Sequence, residues 1–168
     1  RGQDVGASLV EADMVDTARA IEAAAEANGS HIVLPADFLV ASEFAANVPH
    51  RVAGPGDVGE CEMILDAGPA SAQAVAHQLE TCRTVVWNGP MGAFEFPPFD
   101  SATNHVAKAV ATLTADGAMM SVAGGGDTLA ALANAGVSDQ LTHVSTAGGA
   151  FLEWLEGRVL PGVEVLRR

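Results

Sequence analysis

With 168 residues, 49% of them hydrophobic, the chain has enough material for one domain with a buried core. Eight Lys and Arg face twenty-one Asp and Glu, a formal net charge of −13, which excludes nucleic acid as a partner because backbone binding there needs clustered cations. No apolar run reaches membrane-spanning length and no secretory leader precedes a small-residue cleavage site, so no membrane partner and a cytoplasmic location are expected. Cys61 and Cys82 form no CxxC pair and read as reduced thiols. The histidines are too scattered for a zinc site.

The first residues read as the middle of a longer polypeptide. Ser8 and Glu11 match a capping box, and Met14, Ala18, Ile21 and Ala25 follow at helical spacing until Asn28 and Gly29. Residues 31–34 predict a short apolar strand ended by Pro35. Asp37 then stands where an open α/β sheet places ligands, as a ligand-side carboxylate or as a helix cap. A brief helix over 41–46 and strands over 51–53 and 63–65 come next. Residues 66–69 form a strand-end turn, and Ser71 caps a helix running to about Glu80.

Residues 84–87 predict a strand buried on both faces, running into the turn Asn88, Gly89, Pro90, Met91, Gly92, a candidate ligand loop. Residues 94–99 read as an exposed aromatic loop. Its Glu95 either holds a pair of sugar hydroxyls or is a solvated glutamate. Residues 101–113 carry an amphipathic stripe, with Val106, Ala109, Val110 and Leu113 on one side. A strand over 118–122 then feeds Gly124, Gly125, Gly126, Asp127 and Thr128, ahead of a helix closed by Gly136.

That strand, turn and helix start form either a tight connection of a parallel sheet or an anion site, since glycines let a ligand approach the backbone and helix N–H groups favour phosphate. Asp127 would repel phosphate unless a cation such as Mg2+ stands between them. A last strand over 143–145, a turn over 146–149 and a helix over 150–156 repeat the arrangement. Three glycine-bearing strand ends predict an α/β fold with a doubly wound, mainly parallel sheet and helices on both faces. This Rossmann-like three-layer sandwich would carry all three loops on one edge.

Taken together and in order, the residues at 85–95, 124–128, 143–150, 155–157 and 160–163, with 34–37 and 65–69, closely resemble phosphoglycerate kinase. The resemblance implies a cytoplasmic transferase of glycolysis or gluconeogenesis, a monomer when full length. Such an enzyme moves a phosphoryl group reversibly between 1,3-bisphosphoglycerate and Mg-ADP. Residues 1–168 would form a single, partial nucleotide-binding domain binding ADP or ATP, without the domain that takes phosphoglycerate. By motif position, Gly125, Gly126, Asp127 and Thr128 would cradle the phosphates, with Asp127 on the Mg2+. Asn88, Gly89 and Pro90 would line the phosphate and ribose side, Glu95 would take the ribose hydroxyls, and Leu65 would lie against adenine. Gly148 and Gly149, with Gly126, would face the transferring phosphoryl group as catalytic amide donors.

Two residues depart from the family pattern. Ala147 replaces a glycine, which would make positive φ costly there, and Ile64 replaces a glycine beside the adenine pocket. The matched motifs hold no Lys or Arg, so the chain alone is expected to be inactive. The alternatives are a free-standing nucleotide-binding module without kinase activity, or a remnant that binds nothing.

Overall fold

The computed structural model describes residues 2–147 and 149–166. Six strands form two three-stranded sheets. The first is antiparallel in the order β2-β1-β3, with β1 at Phe38–Ala41, β2 at His50–Ala53 and β3 at Met63–Ala67. The second is parallel in the order β4-β5-β6, with β4 at Thr84–Asn88, β5 at Met120–Gly124 and β6 at His143–Ser145. The expected α/β class with a parallel sheet holds, and helices follow the parallel strands as crossover connections require.

The helices are α1 at Val15–Ala27, α2 at Pro69–Leu79, α3 at Ser101–Ala115, α4 at Gly126–Asn134, α5 at Gly149–Leu155 and the short α6 at Pro161–Glu164. Alternation along β4 and β5 sends Trp87, Ser121 and Ala123 to one face, where they are buried. There Leu79 of α2, the stripe Val106, Ala107, Val110 and Ala111 of α3, and Leu132 of α4 close the main core. At about 25 cal/mol per Å² of apolar surface removed from water, this stripe is the chief attachment of α3 to the sheet. The opposite face differs from the expectation of a strand buried on both sides. Val86 is 47% and Met120 55% exposed, because their side chains point away from the α2 and α3 layer.

Several predicted elements take a different form. Ser8 caps nothing: its hydroxyl donates to the Val5 carbonyl and accepts the Ile64 N–H at 2.9 Å, fastening the N-terminal stretch along β3. α1 therefore starts later, after a 3-10 turn at Ala12–Met14, and none of its residues is buried. Residues 31–34 form no strand; Ile32, Val33 and Leu34 are 37–49% exposed, and no described strand pairs with them. Ala41 ends β1 rather than beginning a helix, and residues 42–47 are bends and turns.

Candidate functional site

The parallel register sets the geometry of the site. Asn88 pairs across the sheet with Gly124, and Gly124 pairs with Ser145, so the three strand ends lie side by side on one edge. Open α/β sheets place ligands at this edge. Beyond β5 the backbone of Gly125 turns at φ 97 and ψ 140, a region that essentially only glycine occupies, and α4 begins at Gly126. A Cβ on Gly126 would meet nothing within 4 Å, so its backbone is open to an approaching group. Thr128, buried behind this turn, accepts the Gly89 N–H at 2.7 Å, joining the loop after β4 to the first turn of α4. Asn88 stands beside the same turn, its Oδ1 3.5 Å from where a Gly125 Cβ would project.

The rest of the loop after β4 is braced from several sides. The Trp87 indole N–H donates to the Gly89 carbonyl at 2.6 Å, and the Ala93 N–H to the Leu65 carbonyl at 2.8 Å. Asn134, at the far end of α4, donates to the Phe94 carbonyl at 3.3 Å. Asn88, Gly89, Gly125 and Thr128 thus meet at the start of α4, with Gly126 and Asp127 in the same turn and Pro90 in the same loop. Leu65 is tied to that loop through Ala93, and Glu95 follows the residue bonded to the far end of α4. Glu95 is exposed and has no partner among the described residues. The aromatics around it are not exposed as the sequence suggested: Phe94 is 8% and Phe99 0% exposed. Phe99 fills the space against Leu39, Ala41 and Leu65, because rings of this size gain most by leaving water.

Leu65 also lines an almost wholly apolar cavity of about 510 Å³ between the antiparallel sheet and the loop at Met91–Ala93, with Phe38, Phe44 and Ile64 on its walls. The Phe44 ring, 4.9 Å from that of Phe96, was hidden from the sequence reading inside the supposed helix over 41–46. Ile64 shapes the wall without closing the cavity.

Two carboxylates the sequence left ambiguous or unremarked are helix caps. Asp37 accepts the N–H groups of Ala70 and Ser71, while the Ser71 hydroxyl accepts the N–H groups of Ala36 and Asp37. Ser71 thus sits inside α2, and the cap comes from 34 residues upstream. Burial pushes the Asp37 carboxyl up, but the Ser71 hydroxyl, which donates to it, and the Ala70 and Ser71 N–H groups outweigh it and hold it below the usual 3.8. Asp66, 1% exposed, accepts the Ala102 N–H at 2.9 Å and the Ser101 hydroxyl at 3.2 Å at the start of α3. Burial dominates there and raises its carboxyl to about 6, with Asp100 adding like-charge repulsion.

Asp127 lies exposed in the first turn of α4, its carboxylate without a partner among the described residues. Among the described residues no group of three or more His, Cys, Asp and Glu forms a metal cage. One free carboxylate beside open helix amides fits a cation that brings most of its ligands with it, as Mg2+ does with phosphates and water. Gly149 opens α5 after β6, whereas Gly148 lies outside the described residues. Ala147 carries no positive-φ strain, since Asn47 alone among described non-glycine residues has positive φ.

A parallel α/β sheet with three turns gathered at one edge and an apolar cavity beside them defines an α/β protein whose candidate ligand crevice is at the strand ends. The family description "Phosphoglycerate kinase" matches residues 1–158. Phosphoglycerate kinase from Azorhizobium caulinodans is 60% identical over 168 residues, 100% of this chain and 42% of that protein. The enzyme from Sphingopyxis alaskensis is 59% identical over 167 residues, 99% of this chain and 42% of its own length. The structure of phosphoglycerate kinase from Coxiella burnetii superposes with a TM-score of 0.89 at 43% identity, covering 98% of this chain and 42% of that one. The chain belongs to the phosphoglycerate kinase family, and it spans 42% of the length of these relatives.

Proposed function

We propose that this chain supplies the nucleotide side of reversible phosphoryl transfer between 1,3-bisphosphoglycerate and Mg-ADP, giving 3-phosphoglycerate and Mg-ATP. One observation carries the reading beyond family membership: the in-register ends of β4, β5 and β6, tied by the Gly89–Thr128 bond, next to the apolar cavity lined by Leu65. Phosphates lie along the amides of Gly125 and Gly126 at the positive end of α4. Adenine lies against Leu65 and Phe44, and ribose beside Asn88, Gly89, Pro90 and Glu95. Asp127 would hold the Mg2+ that accompanies the nucleotide, a cation that would offset phosphate charge there. Gly149, which opens α5, presents its amide toward the transferring group, and Gly148 is assigned the same role by motif position alone.

Binding without turnover is the expected behaviour of these 168 residues by themselves. Among the described residues, Arg51 is committed to Asp57 and Glu62, Arg19 to Asp16, and Arg158 to Glu156. Arg83 precedes β4, at the end opposite the ligand edge, and Lys108 is exposed in mid-helix on α3. The cations that neutralise the transferring group and seat phosphoglycerate are proposed to lie in polypeptide outside these residues, as do the remaining parts of the whole enzyme. Calorimetric titration with Mg-ADP is expected to give a saturable heat and a ligand-dependent rise in melting temperature. A folded chain giving neither would refute nucleotide binding. Bisphosphoglycerate-dependent ATP formation at the rate of a complete kinase would refute the assignment of the missing cations.

A further inference from the structure

The loop after β4 contributes Asn88, Gly89 and Pro90 to the site, yet one of its firmest attachments is to a residue outside the site. Thr103, in the first turn of α3 and 1% exposed, accepts the Met91 N–H on its hydroxyl at 2.9 Å. α3 is itself fixed at that end by Asp66, whose carboxylate holds the Ala102 N–H. The next loop residue, Gly92, lies so close to Asp66 that a Cβ would come within 2.7 Å of the Asp66 Cα. The loop is therefore pulled onto α3 at residue 91 and stopped by β3 at residue 92, leaving it little freedom to shift along the sheet edge.

We infer that Thr103 is a positioning residue for the nucleotide loop: its hydroxyl, anchored on α3, sets where Asn88, Gly89 and Pro90 stand at the ends of the parallel strands. The inference rests on the functional reading above for its consequence, but its geometric part stands apart from it. A hydroxyl is required because the part-buried Met91 N–H is accepted there. Valine matches threonine in shape but offers a methyl in place of the acceptor, leaving that donor unsatisfied. Serine keeps the acceptor and loses only the methyl.

The experiment compares the 168-residue chain with Thr103→Val and Thr103→Ser. Mg-ADP affinity is measured by calorimetry, and the Gly89 and Met91 amide and Trp87 indole resonances by NMR. Thr103→Val is expected to weaken Mg-ADP binding roughly tenfold, as loss of supporting contacts behind a ligand shell commonly does, while Thr103→Ser keeps the original affinity. The three resonances shift in the valine variant and return in the serine variant. A folded Thr103→Val with unchanged affinity and unchanged resonances overturns the inference, even if its stability falls, since that is what a purely structural threonine would give. If the parent chain shows no Mg-ADP binding at all, the functional reading fails. Positioning is then decided by the resonances, and their failure to return with serine overturns it. If the valine variant does not fold, hydrogen exchange of the parent chain decides: a Met91 amide as unprotected as those in open turns overturns the inference.

Discussion

Acidification from about pH 7.5 to about pH 5 is expected to act on this chain through Asp66 in the direction opposite to an ordinary paired carboxylate. Its carboxyl is raised from 3.8 to about 6, first by burial, which the bonds from Ala102, Ser101 and Ala67 only partly offset. The folded state thus holds the proton more tightly than the unfolded one. The stability it contributes is full below the unfolded value and is lost as the pH rises through about 6. The whole gap of just over two units corresponds to about 3 kcal/mol, of which about 1.4 kcal/mol falls between pH 5 and 7.5. Urea denaturation of the parent and of Asp66→Asn at both pH values isolates this share, because the histidines and the net charge change alike in both chains. The parent is expected to gain about 1.4 kcal/mol more than the variant on acidification. An equal change in the two chains would refute the argument that burial governs this carboxyl.

Asp37→Ala is expected to cost about 1–2 kcal/mol in chemical denaturation by uncapping α2. Since its carboxyl is lowered, that contribution is present above 3.8 and lost as the pH falls through the lowered folded value, so parent and variant should converge in strong acid. Gly125→Ala, which places a side chain at φ 97, is expected to lose about 1–3 kcal/mol, read as a drop in melting temperature, and to weaken Mg-ADP binding in calorimetry. Asp127→Asn is expected to leave stability within about 0.5 kcal/mol, because the side chain is exposed and has no partner among the described residues, while abolishing the Mg2+ dependence of ADP affinity.

The parallel half of the fold was legible because β4 and β5 are largely apolar runs that lead into glycines and then an alanine-rich helical stripe, and because a glycine-bearing turn recurs after β6. The register that brings Asn88, Gly124 and Ser145 abreast follows from that repetition. Residues 31–34 misled because an apolar run reports strand propensity, whereas a strand also needs a neighbour, and no described strand lies beside this one. Phe94 and Phe99 were read as part of an exposed loop, though ring area decided their placement. Asp66 and Thr103 escaped notice for a different reason: their partners, Ala102 and Met91, are 36 and 12 residues away, and no local spacing announces such a pair. Phe44 was lost with the helix wrongly expected around it.

Asp37 and Asp66 together bear on how the chain folds. α2 and α3 each receive their first-turn acceptor from a carboxylate 33 to 36 residues upstream, so neither helix start is complete until an earlier segment has docked on it. The entropy of closing those loops is spent before the helix ends are satisfied. The antiparallel β-sheet and the helical layer over the parallel one should therefore form and melt as a single cooperative unit. In a kinetic experiment, removing either carboxylate would then slow refolding of both sheets together, and nascent α2 or α3 cut out as peptides would fray from their first turns.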